Sequence, residues 1–210
     1  MSVALYGEAL LSPVDDVLVR DESGEVRLLP ASRWVAPVDA VDLRAIAAID
    51  GPALDIGCGP GRLVSAVAER GIPVLGIDIA PTAVSMTRRR GGAALRLDVF
   101  GRVPGAGRWA WAVLLDGNIG IGGDPRRLLL RTRELLADDG RALVEVEPAG
   151  STCRTRLVRL ENRGRAGAWF PWSWLSSDCV AETAGAAGFR VTRQWEDEGR
   201  SFAELAVTTP

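Results

Sequence analysis

Three aspartates that close apolar runs, and one cluster of glycines, are the residues of this sequence best suited to hold a ligand. Gly57, Gly59 and Gly61 stand in ALDIGCGPGRL (53–63), between a short apolar run and a stretch with helical spacing. Where a chain reverses sharply and a ligand touches its backbone, a Cβ would be in the way, which gives a strand-to-helix turn a physical reason for glycine. Asp78 ends the next apolar run, PVLGIDI (73–79), where a carboxylate can take both hydroxyls of a ribose. Asp98 ends a third run, AALRLDV (93–99), and is followed by Val99 and Phe100. The glycine spacing is GxGxG, with Arg62 where the dinucleotide pattern GxGxxG would end.

A second unusual stretch is LLDGNIGIGGDP (114–125), with Gly117, Gly120, Gly122 and Gly123 within seven residues. Asp116 is expected at the carboxyl end of a central strand, where open α/β sheets bind ligands, and Asn118 is expected to face an acceptor molecule. The chain has no histidine, and its basic residues are all arginine. That excludes a Ser-His-Asp triad, a histidine base or metal ligand, and a lysine Schiff base. The candidates for a base are Asp116, Tyr6 (the single tyrosine), Glu145 and Glu147. The acids and Asn118 fit a metal-dependent scheme poorly, and no metal is expected.

Elements must bring these residues together. ALDI (53–56), 73–79, 93–99, 111–117 and 141–147 read as strands, and 62–70 and 81–90 as helices. A further helix starts at Asp124-Pro125 and is expected to end at Gly140. Strands alternating with helices imply a mainly parallel sheet. FRVTRQW (189–195) and SFAELAVT (201–208) read as an antiparallel hairpin. The expected fold is therefore α/β, a doubly wound, mainly parallel seven-stranded sheet with an antiparallel C-terminal hairpin. It forms one domain over residues 1–210: an N-terminal cap segment (1–50), a core (51–147), an insertion on the substrate side (148–188) and the hairpin (189–210). In the first part, 8–19 reads as a short helix and loop, 25–30 as an extended piece, and 36–50 as a helix with Val41, Ile46 and Ile49 on its apolar face. Tyr6 and Arg33 are candidate lid residues. In 153–175, two extended pieces flank a GRAG turn. Phe170, Trp172 and Trp174 share one face of the second piece, and Pro171 confines it to a sheet edge. Those aromatics suit a pocket wall, core packing or a homodimer interface.

A formal charge of −2 argues against electrostatic nucleic-acid binding. No run approaches a membrane span, and the first residues lack a basic leader, so the chain reads as cytoplasmic. Three cysteines, 58, 153 and 179, lack zinc spacing and are expected to be free thiols.

LDIGCGPGRL, LGIDIAP and LRLDVF, in this order and spacing, resemble the cofactor motifs of the class I S-adenosylmethionine-dependent methyltransferases. The resemblance covers residues 50–147 and the terminal hairpin; 1–50 and 148–188 lie outside it. It implies that Asp55, Gly57, Gly59 and Gly61 surround the methionine part of S-adenosylmethionine. Asp78, with Ile79 beside it, would hold the ribose, and Asp98 the adenine amino group next to Val99 or Phe100. Asp116-Gly117 would meet the cofactor amino group. Arg62 either reaches the cofactor carboxylate or is an exposed first-turn residue. S-adenosylhomocysteine would be the product. The segment LLDGN is not the NPPY or DPPY form of nucleobase methylases, so a small-molecule acceptor is expected, methylated mainly by proximity and orientation. Two rivals remain: a cofactor-binding regulatory protein without turnover, and a nicotinamide-nucleotide enzyme on a similar sheet.

Overall fold

The computed structural model describes residues 3–12 and 17–208; residues 13–16, part of the loop expected after the first helix, lie outside the described residues. The N-terminal part forms α1 (Val3–Leu11), β1 (Leu18–Asp21), β2 (Val26–Leu28), α2 (Ala31–Val35) and α3 (Ala40–Ala45). α3 is shorter than expected because a 3-10 turn at Ile46–Ala48 follows it. Its start is fixed by a capping box in which the Asp39 side chain accepts from the Asp42 N–H and the Asp42 side chain accepts from the Asp39 N–H. Val41, Ile46 and Ile49 are buried, as the spacing predicts.

From residue 53 the expected alternation appears: β3 (Ala53–Ile56), α4 (Arg62–Glu69), β4 (Val74–Asp78), α5 (Pro81–Arg89), β5 (Ala94–Arg96), β6 (Trp109–Leu114), α6 (Pro125–Leu135) and β7 (Leu136–Val146). Asp124 caps α6 by accepting from the Arg127 N–H at 2.9 Å, with Pro125 in the first turn. Gly140 does not end α6. The helix stops at Leu135, and Gly140 lies inside β7 in a stretch where pairing slips from Trp109–Leu136 to Trp111–Arg141. The slip accommodates residues 137–140 as an irregularity, so the chain becomes extended without a separate turn.

The remaining elements are β8 (Arg154–Asn162), β9 (Arg165–Ala166), β10 (Phe170–Trp174), α7 (Val180–Gly185), β11 (Phe189–Asp197) and β12 (Arg200–Val207). The main sheet has seven strands in the order β11-β12-β7-β6-β3-β4-β5. The pairings among β3 to β7 are parallel, and those of β12 with both neighbours are antiparallel. This is the Rossmann-like sheet expected from the sequence. Side chains alternate across it. Leu54, Ala112, Leu114 and Val144 pack with Leu128 and Leu129 of α6 and Val180 of α7, while Ala53, Trp111, Val113 and Phe202 pack with Val41 of α3 and Leu63 and Val67 of α4.

A smaller antiparallel sheet has the order β10-β8-β1-β2, with β9 paired to β8. It joins distant parts of the chain, pairing Leu18 with Glu161 and Asp21 with Val158, and the sequence pattern of 17–21 did not announce β1. Pro171 sits on the edge strand β10, as expected. α1 packs between this sheet and α5, with Leu5, Tyr6, Ala9 and Leu10 against Leu160, Ala80 and Ala83. The cysteines depart from expectation: Cys153 and Cys179 form a disulfide tying the start of β8 to the start of α7, because the fold brings their Cα atoms to 6.7 Å. Cys58 alone is free, and buried. Among the described residues, no helix is long and apolar enough to cross a membrane.

Phe202 is fully buried and stacks on Trp195 at 5.3 Å. Phe202→Ala is expected to cost about 3–5 kcal/mol of stability, read as a lower denaturation midpoint in urea.

Candidate active site

Strand order reverses between β3 and β6: the chain runs β3, β4, β5 to one edge and then returns to place β6 and β7 on the other side. At such a point the loops after the two central strands part and leave a crevice. A cavity of about 680 Å3 lies there, within the size range of small-ligand sites. At one end are the glycine turn after β3, Asp55, Asp78 and Asp98. At the other are side chains of the smaller sheet, and Tyr6, Arg33 and Trp34 line it from the N-terminal part. The cavity brings together every site residue expected from the sequence except Gly61.

Gly61 has a different task. It begins α4 with a left-handed φ of +83°, and a Cβ there would lie 2.5 Å from the Thr87 side chain. Its absence of side chain lets the start of α4 sit against α5. Thr87 in turn donates to the Gly59 carbonyl at 2.9 Å, which holds the turn from behind. Gly57 also has a left-handed φ, +75°, and the Asn118 side-chain amide fills the place of a Cβ. Asn118 Nδ2 donates to the carbonyls of Ile56 and Gly57, each at 3.0 Å. Asn118 therefore braces the glycine turn, and its amide N–H groups are not free to face an acceptor as the sequence suggested.

Both oxygens of Asp78 accept backbone N–H groups, from Ala80 at 2.7 Å and Gly59 at 3.0 Å. The carboxylate is thus fixed in orientation, and each oxygen keeps lone-pair capacity for a ligand hydroxyl. Burial pushes its pKa up, against the lowering effect of those bonds. Ile79, next to it, is exposed to the cavity. Asp98 is exposed, two residues beyond β5, and accepts from the Phe100 N–H at 3.0 Å. The same turn presents Val99 and Phe100 to the cavity, with the Arg127 guanidinium 4.3 Å from the Phe100 ring.

Asp55 is the most telling group. It is 2 % exposed, and its Oδ2 has no hydrogen-bond partner. Burial, and then the charges of Asp116 and Asp78, push its pKa up to about 8. A buried carboxyl with an unmet oxygen on a cavity wall fits a ligand that brings a positive charge or an N–H donor. Tyr6 is buried with its ring edge-on to Trp34 at 6.0 Å and its hydroxyl against Gly59. Burial, reinforced by Asp78, raises its pKa well above the usual phenol value. That shift favours the protonated hydroxyl over the phenolate a base would need.

Asp116 is likewise committed. It follows β6 in a left-handed conformation (φ +57°), strained for a residue with a side chain. Its Oδ1 accepts from Arg33 Nη1 at 2.8 Å and its Oδ2 from Arg62 Nη2 at 2.6 Å. Arg62 is only 5 % exposed and also pairs with Asp42, which is fully buried. It is neither an exposed first-turn residue nor free to reach a ligand carboxylate. Arg200 completes the network, bonding Asp42 at 2.8 Å and Glu145 through two nitrogens at 2.8 and 2.7 Å. Glu145 further accepts from the Asp116 N–H at 2.7 Å. Asp116 and Glu145 are held by arginines, so neither serves as a free base. Sequence reasoning missed Asp42 and Arg200; only the DxxD spacing of the capping box at 39–42 singles out Asp42, and nothing local marks Arg200.

Phe170, Trp172 and Trp174 all line the cavity. Phe170 and Trp172 meet edge to face at 6.2 Å, and Trp174 has Arg27 and Arg154 at 5.5 and 5.1 Å from its ring.

Residues 53–103 match the model of a family described as a methyltransferase domain. The whole chain is similar to a crystal structure of a SAM-dependent methyltransferase from Bacteroides fragilis in complex with S-adenosyl-L-homocysteine. The TM-score is 0.80 and the identity 22%, over 99% of this chain and 94% of that one. It is also similar to 1,6-didemethyltoxoflavin-N1-methyltransferase of Burkholderia thailandensis, with bound 1,6-didemethyltoxoflavin and S-adenosylhomocysteine. There the TM-score is 0.60 and the identity 20%, over 81% of this chain and 79% of that one. An uncharacterized protein of Mycobacterium tuberculosis and one of Mycobacterium bovis are each 29% identical over 140 residues, 66% of this chain and 47% of theirs. The chain thus spans about half the length of the curated relatives it matches. The sheet order is that of the Rossmann-like methyltransferase fold, and residues 53–103 are similar to a methyltransferase domain.

Removing Arg62 would leave Asp42 buried beside one fewer cation. Arg62→Ala is expected to lower stability by about 3–5 kcal/mol, measured by urea unfolding. Asp55 gives a pH signature. Its folded pKa of about 8 lies above an unfolded value of about 3.9. Between these values the unfolded chain releases a proton that the folded chain keeps, so this contribution to stability falls as pH rises and levels off above the folded value. Asp55→Asn is expected to lose less stability than the parent between pH 5 and 8, read from urea midpoints.

Proposed function

We propose that the chain binds S-adenosylmethionine at the glycine-turn end of the cavity and methylates a small-molecule acceptor held against the smaller sheet. The observation that carries this reading is the unpartnered, buried Asp55 oxygen beside the glycine turn, with the oriented Asp78 carboxylate on the next strand. An amino group or a sulfonium near Asp55 supplies the positive charge that this carboxyl lacks, and Asp78 accepts from the two ribose hydroxyls. Tyr6, a persistent donor above Gly59, closes the same end. Asp98 is available to an adenine amino group, with Ile79, Val99 and Phe100 as apolar contacts for the ring.

S-adenosylmethionine supplies an activated methyl group, so the acceptor needs a lone pair in line with it more than it needs a strong base. That agrees with a site in which Asp116 and Glu145 are neutralised by arginine. The protein's part is to orient: the arginine network fixes the strand ends, Asn118 fixes the turn, and the aromatic wall excludes water from the transfer. The bound ligands of the B. fragilis and B. thailandensis enzymes support the same assignment by analogy. The GxGxG spacing and the added Asp98 weigh against a nicotinamide nucleotide.

Calorimetry with S-adenosylmethionine, S-adenosylhomocysteine and NAD tests the reading. Micromolar binding of the first two is expected, weakened at least about tenfold in Asp78→Ala; binding of NAD alone overturns it. At pH 7, binding of S-adenosylhomocysteine is expected to release a proton from Asp55. This would appear as a heat that depends on the ionisation enthalpy of the buffer, and that dependence is expected to vanish in Asp55→Asn.

A further inference from the structure

β7 carries two glutamates near its end, Glu145 and, one residue past the strand, Glu147. Both line the cavity, and they meet different surroundings. Glu145 is fully engaged by Arg200 and the Asp116 N–H. Glu147 is held only through its backbone, whose N–H donates to the Leu175 carbonyl at 2.8 Å and whose carbonyl accepts from the Ser177 N–H at 2.9 Å. Its half-buried carboxylate has no hydrogen-bond or ion-pair partner among the described residues.

The backbone bonds of Glu147 set it beside Leu175, the residue after Trp174, and it opens on the same cavity as the aromatic strand. Phe170, Trp172 and Trp174 come from β10, and Leu28 and Val158 from the neighbouring strands of the smaller sheet. Arg27 also lines the cavity; it and Arg154, both beside the Trp174 ring, share the one carboxylate of Glu25. The acids and arginines of the cavity floor, Asp116, Glu145, Arg33, Arg62 and Arg200, belong to the buried network. Among the described residues, the Glu147 carboxylate is thus left without a direct partner on this cavity wall. A flat apolar wall with a single unmet carboxylate fits a molecule that pairs a planar or greasy body with a cationic nitrogen.

Resting on the function proposed above, we propose that the acceptor is a small amine with an apolar, aromatic-sized body, bound with its nitrogen on Glu147 and its body against Trp172. An amine suits a site without a free strong base. The ammonium form that Glu147 recruits first loses one proton to water; the neutral amine then attacks through its lone pair, the N–CH3 bond forms as the S–CH3 bond breaks, and positive charge passes from sulfur to nitrogen. The surplus proton then leaves the nitrogen for water. Glu147 would favour the charge that develops on nitrogen, and it would disfavour an acceptor that enters as a carboxylate.

The test uses the full chain saturated with S-adenosylhomocysteine and three probes of one shape: tryptamine, 3-ethylindole and indole-3-propionate. Tryptamine is expected to bind at least about tenfold tighter than 3-ethylindole, with indole-3-propionate weakest. In Glu147→Gln the tryptamine preference is expected to fall to within about twofold, and in Glu147→Asp to persist in part. Trp172→Ala should weaken tryptamine and 3-ethylindole alike. The proposal is overturned by tighter binding of the carboxylate, by a preference that survives Glu147→Gln, or by no probe binding to a protein that does bind S-adenosylhomocysteine. The initial titration with S-adenosylhomocysteine reads the cofactor assignment by itself, so the two proposals fail separately.

Discussion

Asp42 is a charge placed where water does not reach, and the arrangement of the site follows from satisfying it. Arg62 at the first turn of α4, Arg33 from α2 and Arg200 from β12 all converge on it. Those arginines then fix Asp116 and Glu145 at the ends of β6 and its outer neighbour β7. Buried pairs of this kind add little net stability, because desolvation offsets much of the attraction, but they tolerate few geometries. Here the geometry ties the N-terminal helices, which join the main sheet by no backbone ladder, to the central strand ends and the C-terminal hairpin. A charge balance inside the protein thus decides where the cavity floor lies.

Two halves of the cavity differ in how they are held. The half with Asp55 and Asp78 is built from strand ends and backbone N–H groups, so its groups are positioned by the sheet itself. The other half is built from a separate antiparallel sheet, tethered to the body by the Cys153–Cys179 disulfide, by α1 and by contact with the loop after β6. This division matches the chemistry proposed for each. A ligand of fixed structure suits a rigid backbone cradle, and a ligand that sets specificity suits a wall of side chains.

The parallel core was legible in the sequence because its signals are local. Short apolar runs, glycines after strands, Asp124-Pro125 before α6 and the acids at strand ends each act within a few residues. β1 and the smaller sheet were not legible, because β1 pairs with β8 across more than 130 residues and is only four residues long. The roles of Asp116, Arg62 and Asn118 were misread for a related reason. Sequence order placed all three at the crevice, but it could not show that Arg62 and Arg33 converge on one carboxylate, or that the Asn118 amide turns back to the Ile56 and Gly57 carbonyls. Gly140 misled because a glycine that relaxes an irregular strand looks, in sequence, like a helix stop. The disulfide was hidden by the odd number of cysteines, which says nothing about which two meet.

β10 lies so close to the 3-10 segment at Asn118–Gly123 that a Cβ on Gly120 would meet the Ser173 carbonyl and the Trp172 ring, and one on Gly123 the Pro171 ring. The backbone of the aromatic wall, and with it the Trp172 ring, is thus locked to the loop that starts at the cavity floor. In evolutionary terms the fold separates what can drift from what cannot. Phe170 and Trp174 can be exchanged to remould the recess for a new acceptor, one substitution at a time, with the scaffold that carries them unmoved. A change at Gly120 offers no such path, since it would shift wall and floor together.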